Sequence, residues 1–337
     1  MPHRLSCREI DIHDDEQFQR HWELVTEAES FERPHHTPIT MAALRTIVRA
    51  ADRSVDRQAW AAFDGESMVG AGWAELFLLD NTSMAWLTVN VVPALRRRGI
   101  GSALCAAMVE DAKARGRTIM LGGTAYPPEA RADHPYRRFA ESQGFTLANT
   151  EVHRVLDLPV DEEFLGELVR ESAVHHPAYQ VRHFAGRLPD ELLPSYCALQ
   201  NQLAVDAPTG EMEFEAERLT PEVLLEQQEV RARAGQSQLS ALAVTAAGEV
   251  VAYNDLVVPA DEPGVVHQWG TLVHRDHRGH RLGMAVKARN LLELQHAHPD
   301  RKRVHTGNAE VNRWMVDINE RLGFRPVELF AEFQRKL

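Results

Sequence analysis

One short pattern occurs twice in the chain, and it restricts the possible folds more than any other feature. The first copy, Val89–Leu104, reads VNVVPALRRRGIGSAL, and the second, Thr271–Ala285, reads TLVHRDHRGHRLGMA. A Gly-Phe pair follows each copy, at Gly144 and at Gly323. Corresponding residues lie 182 positions apart in the turns and 179 apart at these glycines. The near-equal spacing indicates an internal duplication, and therefore two domains of similar plan.

Each copy is predicted to contain a β-branched strand, an arginine-rich turn and a helix with apolar periodicity. A helix N-terminus carries unpaired N–H groups and the positive end of the helix dipole, so such a turn can bind phosphate oxygens. Gly99 and Gly101 allow a close backbone approach or a positive φ. We expect anion binding. The alternative is a solvated run of arginines, which would oppose the helix dipole.

The segment Arg96–Gly101 satisfies the pattern Arg/Gln-x-x-Gly-x-Gly/Ala, and here the chain resembles the GNAT acetyltransferase superfamily. The resemblance implies that backbone amides of this turn hold the pyrophosphate of acetyl-coenzyme A. In the second copy, Arg281 stands where the first glycine is expected. It either restricts the loop or adds a phosphate contact. The predicted cofactor-binding residues are Val89, Val91, Arg96, Arg97, Arg98, Gly99, Ile100, Gly101, Ser102, Leu272, Val273, Arg278, Gly279, His280, Arg281, Leu282, Gly283, Met284 and Asn312.

The resemblance also implies a mixed α/β fold. Each domain is expected to have a central, mostly antiparallel sheet that is flanked by helices and splayed between its fourth and fifth strands. We expect two tandem GNAT-like domains, residues 1–157 and 179–337, joined by a linker at residues 158–178 that contains one helix. This arrangement is similar to that of mycothiol synthase.

Composition and charge are consistent with this plan. The 337 residues are 44% hydrophobic, which is enough for two cores. We expect a cytoplasmic protein without a membrane partner, because no apolar run is long enough to span a bilayer and the start lacks the apolar region of a signal peptide. The formal charge of −12 argues against nucleic acid and favours a cationic acceptor, a small-molecule or peptide amine. The protein is expected to be a monomer or a homodimer.

Acyl transfer from a thioester to an amine requires a base, a donor for the developing oxyanion and a proton for the thiolate. In GNAT proteins the donor is typically a backbone N–H at a bulge in strand four. The acid is often a tyrosine four residues before the late Gly-Phe. In this chain Ala140 and Asn319 occupy that place. Both halves of the chain therefore lack the tyrosine that often serves as the acid in the family.

The second copy retains more of the family pattern, and we favour it as the catalytic one. Asn312 matches the family's asparagine, and His267 lies in strand four where serotonin N-acetyltransferase-like members keep a histidine as base. Asn319 cannot act as an acid, so the thiolate takes its proton from water or from Tyr253. His267, Asn319 and Tyr253 are the catalytic candidates. The structural alternatives are that His267 is bonded to a neighbour and that Tyr253 is a core residue.

Two functions remain open at this stage. The first is an acetyl-coenzyme A-dependent N-acetyltransferase that works by direct attack of the amine. The second is a catalytically degenerate, coenzyme-binding regulatory module, which the missing tyrosines favour. No metal site is expected, because the histidines at 274, 277 and 280 lie in a turn rather than on a helix face. The acidic residues Asp206, Glu211 and Glu213 either border an acceptor amine or belong to a solvated loop.

Overall fold

The computed structural model describes residues 5–206, 208–212, 214–215 and 218–337. The chain divides into two compact units. The first unit comprises Met1–Glu151, Thr209–Glu213 and Glu328–Leu337, and the second comprises Val152–Pro208 and Phe214–Val327. None of the described helices is long and apolar enough to cross a membrane.

The first unit is a mixed α/β structure with a mostly antiparallel sheet. Its elements are β1 (Ser6–Glu9), α1 (Asp15–Ser30), α2 (Met41–Val48), β2 (Val55–Asp64), β3 (Ser67–Phe77), β4 (Met84–Asn90), α3 (Ile100–Ala114), β5 (Ile119–Tyr126), α4 (Pro135–Ser142), the first half of β6 (Thr146–Asp157) and most of β12 (Arg325–Lys336). Strands β1 to β4 pair antiparallel in chain order. On the other side of the sheet, residues 329–336 of β12 pair antiparallel with β5.

The two central strands of the first unit, β4 and β5, are parallel and pair over a short length. The register runs from Met84 opposite Ile119 to Trp86 opposite Leu121. Beyond Trp86, the described residues of β4 have no partner in β5, so the two strands diverge toward the turn that follows β4. Helix α3 packs beneath this region through an apolar face that includes Leu104 and Met108, both fully buried.

The second unit repeats the plan. It contains the second half of β6, α5 (Glu162–Ala173), β7 (Tyr179–Ala185), α6 (Leu193–Asp206), α7 (Pro221–Arg233), β8 (Gln236–Thr245), β9 (Val250–Pro259), β10 (Val265–Val273), α8 (Leu282–Ala297), β11 (Arg303–Ala309), α9 (Arg313–Leu322) and the start of β12. Strands β7 to β10 pair antiparallel in chain order. Helix α8 packs on α5 through an apolar cluster that includes Leu165, Leu168, Leu291 and Leu294.

In the second unit, the parallel pair is β10 and β11. Its register runs from Val265 opposite Arg303 to His267 opposite His305 and then ends. Strand β10 also has an irregularity in its pairing with β9, between Gln268 and Thr271. The pairing of β4 with β3, from Ala71 opposite Asn90 to Leu76 opposite Ala85, has no such interruption. The mixed α/β fold, with a mostly antiparallel sheet that splays between its fourth and fifth strands, is therefore present in both units.

Candidate functional site

The two turns have the same backbone conformation although their glycines are at different places. In the first turn, Arg97 has φ of 65° and Gly99 has φ of 82°. In the second, Gly279 has φ of 86° and Arg281 has φ of 54°. Both pairs lie in the left-handed region, at positions exactly one repeat apart, and in each pair one residue is glycine and the other arginine. Arg281 therefore takes the conformation that Gly99 takes, and the loop is preserved.

One arginine in each turn holds the turn to the strand that precedes it. The Nε of Arg96 donates to the Val91 carbonyl at 2.9 Å, and the Nε of Arg278 donates to the Val273 carbonyl at 3.3 Å. Arg96 also donates to the hydroxyl of Tyr136 at 2.9 Å. These two guanidinium groups, both predicted to bind cofactor, thus have structural partners within the fold. Arg97, Arg98 and Arg278 are exposed.

The helices that follow the turns begin without a side-chain cap. Six other described helices begin at a residue whose side chain accepts a backbone N–H hydrogen bond. These residues are Asp14, Thr40, His134, Asp161, Thr220 and Asn312. Helices α3 and α8 have no such side chain, and each begins at a left-handed residue. The first backbone N–H groups of these two helices, at Ile100–Ser102 and Leu282–Met284, are therefore available to an anion.

Both helices have glycine at the second helical position, where there is little room for a side chain. A Cβ at Gly101 would lie 3.2 Å from the ring of Phe139 on α4. A Cβ at Gly283 would lie 3.1 Å from Ile318 on α9. Each glycine thus lets the start of the turn helix pack closely on the helix that ends at the late Gly-Phe.

The other residues of the predicted cofactor set are part of the fold around the turns. Leu272 and Met284 are buried in apolar clusters, Val89 lies on β4 opposite Gly72, and Ser102 accepts a hydrogen bond from Gln143. The side chain of Asn312 caps α9, and the ring of His280 bonds the carbonyl of His175.

His267 occupies the last position of the parallel pair in the second unit, immediately before the irregularity in β10. Its Nε2 lies 3.1 Å from a carboxylate oxygen of Glu262, and its ring centroid lies 6.0 Å from that of His305. Since a carboxylate accepts hydrogen bonds, this pairing places a proton on Nε2 and leaves Nδ1 to accept one. Glu262 was not found from sequence, because its approach to His267 depends on the β9–β10 connection.

Tyr253 lies deep in the second unit. Its ring is 1% exposed and contacts Tyr196 edge-on at 5.5 Å between centroids. The hydroxyl approaches the irregular segment of β10 so closely that a Cβ at Gly270 would lie 2.5 Å from it. Tyr253 is therefore a core residue whose polar end meets the bulge.

Asn319 is fully buried and belongs to a polar chain that the sequence did not reveal. It accepts a hydrogen bond from Lys287 Nζ and donates one to Asn308 Oδ1 at 3.0 Å. Asn308 Oδ1 also accepts from Arg154 at 3.1 Å. Burial, and secondarily Arg154, lowers the pKa of Lys287 to about 7. The available signal was a lysine on the buried face of an apolar helix.

The charged residues near the second turn pair with one another. Asp206 is an ion-pair partner of Arg275 and of Arg278, in the latter case at 3.0 Å. Asp206 therefore supports the turn, while Glu211 is exposed and Glu213 lies outside the described residues. The ring of His277 contacts those of His274 and Tyr179.

A cavity of about 810 Å³ lies in the second unit between α7 and the adjoining ends of β8 and β9. Its lining carries both signs of charge, including Glu229 and Arg231. Arg231 stacks on Trp269, which lies in the irregular segment of β10, at 4.4 Å from the ring centroid. Val257, another lining residue, pairs with His267 across the sheet. The cavity thus borders the part of the sheet that carries His267.

The comparisons with known proteins agree with this architecture. Residues 18–145 match the model of the acetyltransferase (GNAT) family. No curated protein matches the chain at the sequence level. Among solved structures, a tandem GNAT protein from the clavulanic acid biosynthesis pathway is similar over 99% of this chain and 98% of its own, with a TM-score of 0.77 and 24% identity. A GCN5-related N-acetyltransferase from Sphaerobacter thermophilus is similar over 100% and 96%, with a TM-score of 0.65 and 12% identity.

The family match and the repeated splayed sheet define the class: the first unit contains a GNAT acetyltransferase domain. The fold of the tandem GNAT structure extends over nearly the entire chain, and both units follow the same plan.

Proposed function

We propose that the protein is an acetyl-coenzyme A-dependent N-acetyltransferase that transfers an acetyl group to the amine of a small molecule or peptide. The observation that carries the proposal is the pair of turns with identical left-handed positions, each of which opens an uncapped helix. The free N–H groups at Ile100–Ser102 and Leu282–Met284 are a donor set suited to a pyrophosphate. Acetyl-coenzyme A bound there would supply the acetyl thioester.

The second unit has the better arrangement for the chemistry. His267 Nδ1 would accept the proton that the acceptor ammonium must lose, and Glu262 would orient the ring through Nε2. The irregular segment of β10 beside His267 frees backbone N–H groups from regular pairing, and such groups can stabilise a developing oxyanion. We place the acceptor in the neighbouring cavity, whose wall includes Val257 and Arg231.

For the first unit we propose a different role, which is to hold the coenzyme without turnover. This is the regulatory alternative, restricted to one unit. It is supported by Ala140 at the place of the family's acid and by the uninterrupted pairing of β4 with β3. In the first unit Asp133, at the place of the family's asparagine, forms an exposed ion pair with Arg138.

Two matched variants test this assignment. Gly101→Leu and Gly283→Leu each place a side chain where a Cβ would already lie 3.2 Å or 3.1 Å from a neighbouring helix. Titration calorimetry with coenzyme A should show two equivalents for the wild type and one for each variant. Only Gly283→Leu should abolish thiol release in the presence of an amine panel. A wild type that binds no coenzyme would refute the proposal, and loss of turnover in Gly101→Leu alone would reverse the assignment of the units.

A further inference from the structure

The chain of buried polar side chains in the second unit has an excess of positive groups. Lys287 is 0% exposed and Arg154 is 6% exposed. Within the described part of the chain, neither forms an ion pair with a carboxylate; their hydrogen bonds lead only to neutral oxygen and sulfur atoms. In addition, the buried Nε of Arg154 has no hydrogen-bond partner. Glu310 and Glu320 act electrostatically on Arg154, whereas the charged group that acts on Lys287 is Arg154 itself. A buried ammonium without a close counterion is costly, and it is suited to a site that receives negative charge.

The position of these groups connects them with the coenzyme turn. Lys287 lies on α8, five residues after the first residue of that helix, and Asn319 lies on α9. Asn308 lies on β11, beyond His305, where the parallel pairing with β10 has ended. The polar chain therefore joins the first half of α8 and helix α9 to the part of β11 that no longer pairs with β10.

The first unit provides an internal comparison. The position one repeat before Lys287 is Cys105, which is also buried in its helix, and the position equivalent to Asn319 is Ala140. Burial raises the pKa of Cys105 to about 11, so this thiol is uncharged at neutral pH. Of the two units, only the second thus has a lysine that is hydrogen-bonded to an asparagine at these positions. The same unit has the irregularity in β10 and His267.

From this arrangement we infer that Lys287 is the group that stabilises and protonates the departing coenzyme thiolate in the second unit, with Asn319 and Asn308 as positioning residues. The inference rests on the proposed function. In the reaction, the thioester C–S bond breaks, an amide C–N bond forms, and the electron pair of the C–S bond leaves on sulfur. The sulfur takes a proton from Lys287 Nζ. The acceptor ammonium loses two protons, one to His267 before the attack and the second to solvent as the amide forms. Lys287 is then reprotonated, and His267 deprotonated, by exchange with solvent.

The low pKa of Lys287 supports this role, because an amine near half-protonation at neutral pH can both give and regain a proton. The hydrogen bonds to Asn319 and Met315 fix the direction of the ammonium group without neutralising it. A carboxylate partner would hold the charge but would also compete with a thiolate for the same proton.

The test compares coenzyme A with desulfo-coenzyme A, which lacks the thiol, on the full chain. For the wild type, coenzyme A should bind about ten times more tightly than desulfo-coenzyme A at about pH 8. In Lys287→Met this preference should disappear, while the affinity for desulfo-coenzyme A changes less than about twofold. The exposed Lys302→Met is the control and should behave as the wild type. The first unit contributes equally to coenzyme binding in all three proteins, so differences in affinity between them are due to the second unit.

A second readout is the ultraviolet absorbance of the bound thiolate as a function of pH. The apparent pKa of the bound thiol should be higher in Lys287→Met than in the wild type. Should Lys287→Met fail to fold, Lys287→Cys/Asn319→Ala replaces it, because it carries the residues that the first unit holds at these places. Equal preference and equal thiol titration in variant and wild type would overturn the inference and leave the proposed function intact. Absence of any coenzyme binding to the wild type would overturn both.

Discussion

Replacing Lys287 by methionine should make the protein more stable at neutral pH, although the substitution removes a hydrogen bond. The reason is the cost of burying an amine. The pKa of Lys287 falls from 10.5 to about 7 in the folded protein, first because of burial and second because of Arg154. Methionine has a similar length and no charge, and it can contact the same neighbours.

The magnitude follows from the difference in pKa. A shift from 10.5 to about 7 corresponds to about 5 kcal/mol, at about 1.4 kcal/mol per unit. Because the folded pKa is the lower one, the unfolded chain binds more protons between these two values, and the stability of the wild type rises with pH in that window. Losing the bond to Asn319 costs about 1 to 2 kcal/mol at every pH. The net gain is therefore about 3 kcal/mol at pH 7 and becomes a loss above about pH 9 to 10.

Thermal unfolding of wild type, Lys287→Met and Lys302→Met over this pH range measures the effect. A gain of about 3 kcal/mol corresponds to about 10 °C in the midpoint of the transition of a unit of this size. The difference between Lys287→Met and wild type should shrink with rising pH and change sign, whereas Lys302→Met should follow the wild type. A difference that is independent of pH, or a Lys287→Met protein that is less stable at pH 7, would refute this account.

Three further predictions concern other parts of the site and fold. His267→Ala should lower kcat by about 100-fold or more, with little change in coenzyme affinity. Glu262→Gln should have a smaller effect, because glutamine keeps a hydrogen bond to the ring. Unchanged turnover of His267→Ala at saturating substrate would exclude His267 as the base. Arg96→Ala should cost about 2 to 3 kcal/mol in denaturant unfolding, since it loses its bonds to Val91 and Tyr136; a cost below about 0.5 kcal/mol would show that the turn does not depend on it. Burial and Glu332 raise the pKa of Glu151 from 4.5 to about 7, so stability should fall by about 2 to 3 kcal/mol as pH rises through this window. Glu151→Gln should reduce this slope, and the part that remains is due to Glu332, whose pKa burial also raises. An identical slope in the variant would contradict the assignment.

The turns and most of their flanking elements could be predicted from the sequence, because their signals are local. The fourth strand of the second unit, which was predicted to contain His267, is found at Val265–Val273. A helix, α5, lies at Glu162–Ala173, within the segment that was predicted to contain one. The backbone conformation of Arg281 could not be predicted, because the type of side chain does not determine φ. In the structure it is left-handed.

Other features depend on contacts between segments that are distant in sequence. The hydrogen bond between His267 and Glu262 is formed across a strand connection, and the bonds of Asn319 join residues from two helices and a strand. From the sequence, Asp206 either borders an acceptor amine or lies in a solvated loop. Its two arginine partners could not be predicted, because they lie about 70 residues further along the chain. The only sequence signal of such a buried polar network is a polar residue on an otherwise apolar helix face. In this chain that residue is Lys287.

The pairing of β12 with β5 has a consequence for how the protein is made. Residues 329–336 are translated about two hundred positions after β5, yet they cover its free edge within the first unit. Until they emerge from the ribosome, β5 lacks this partner, and an unpaired strand edge can pair with other chains. Separating the gene between the two repeats would therefore leave the first unit without the strand that pairs with β5.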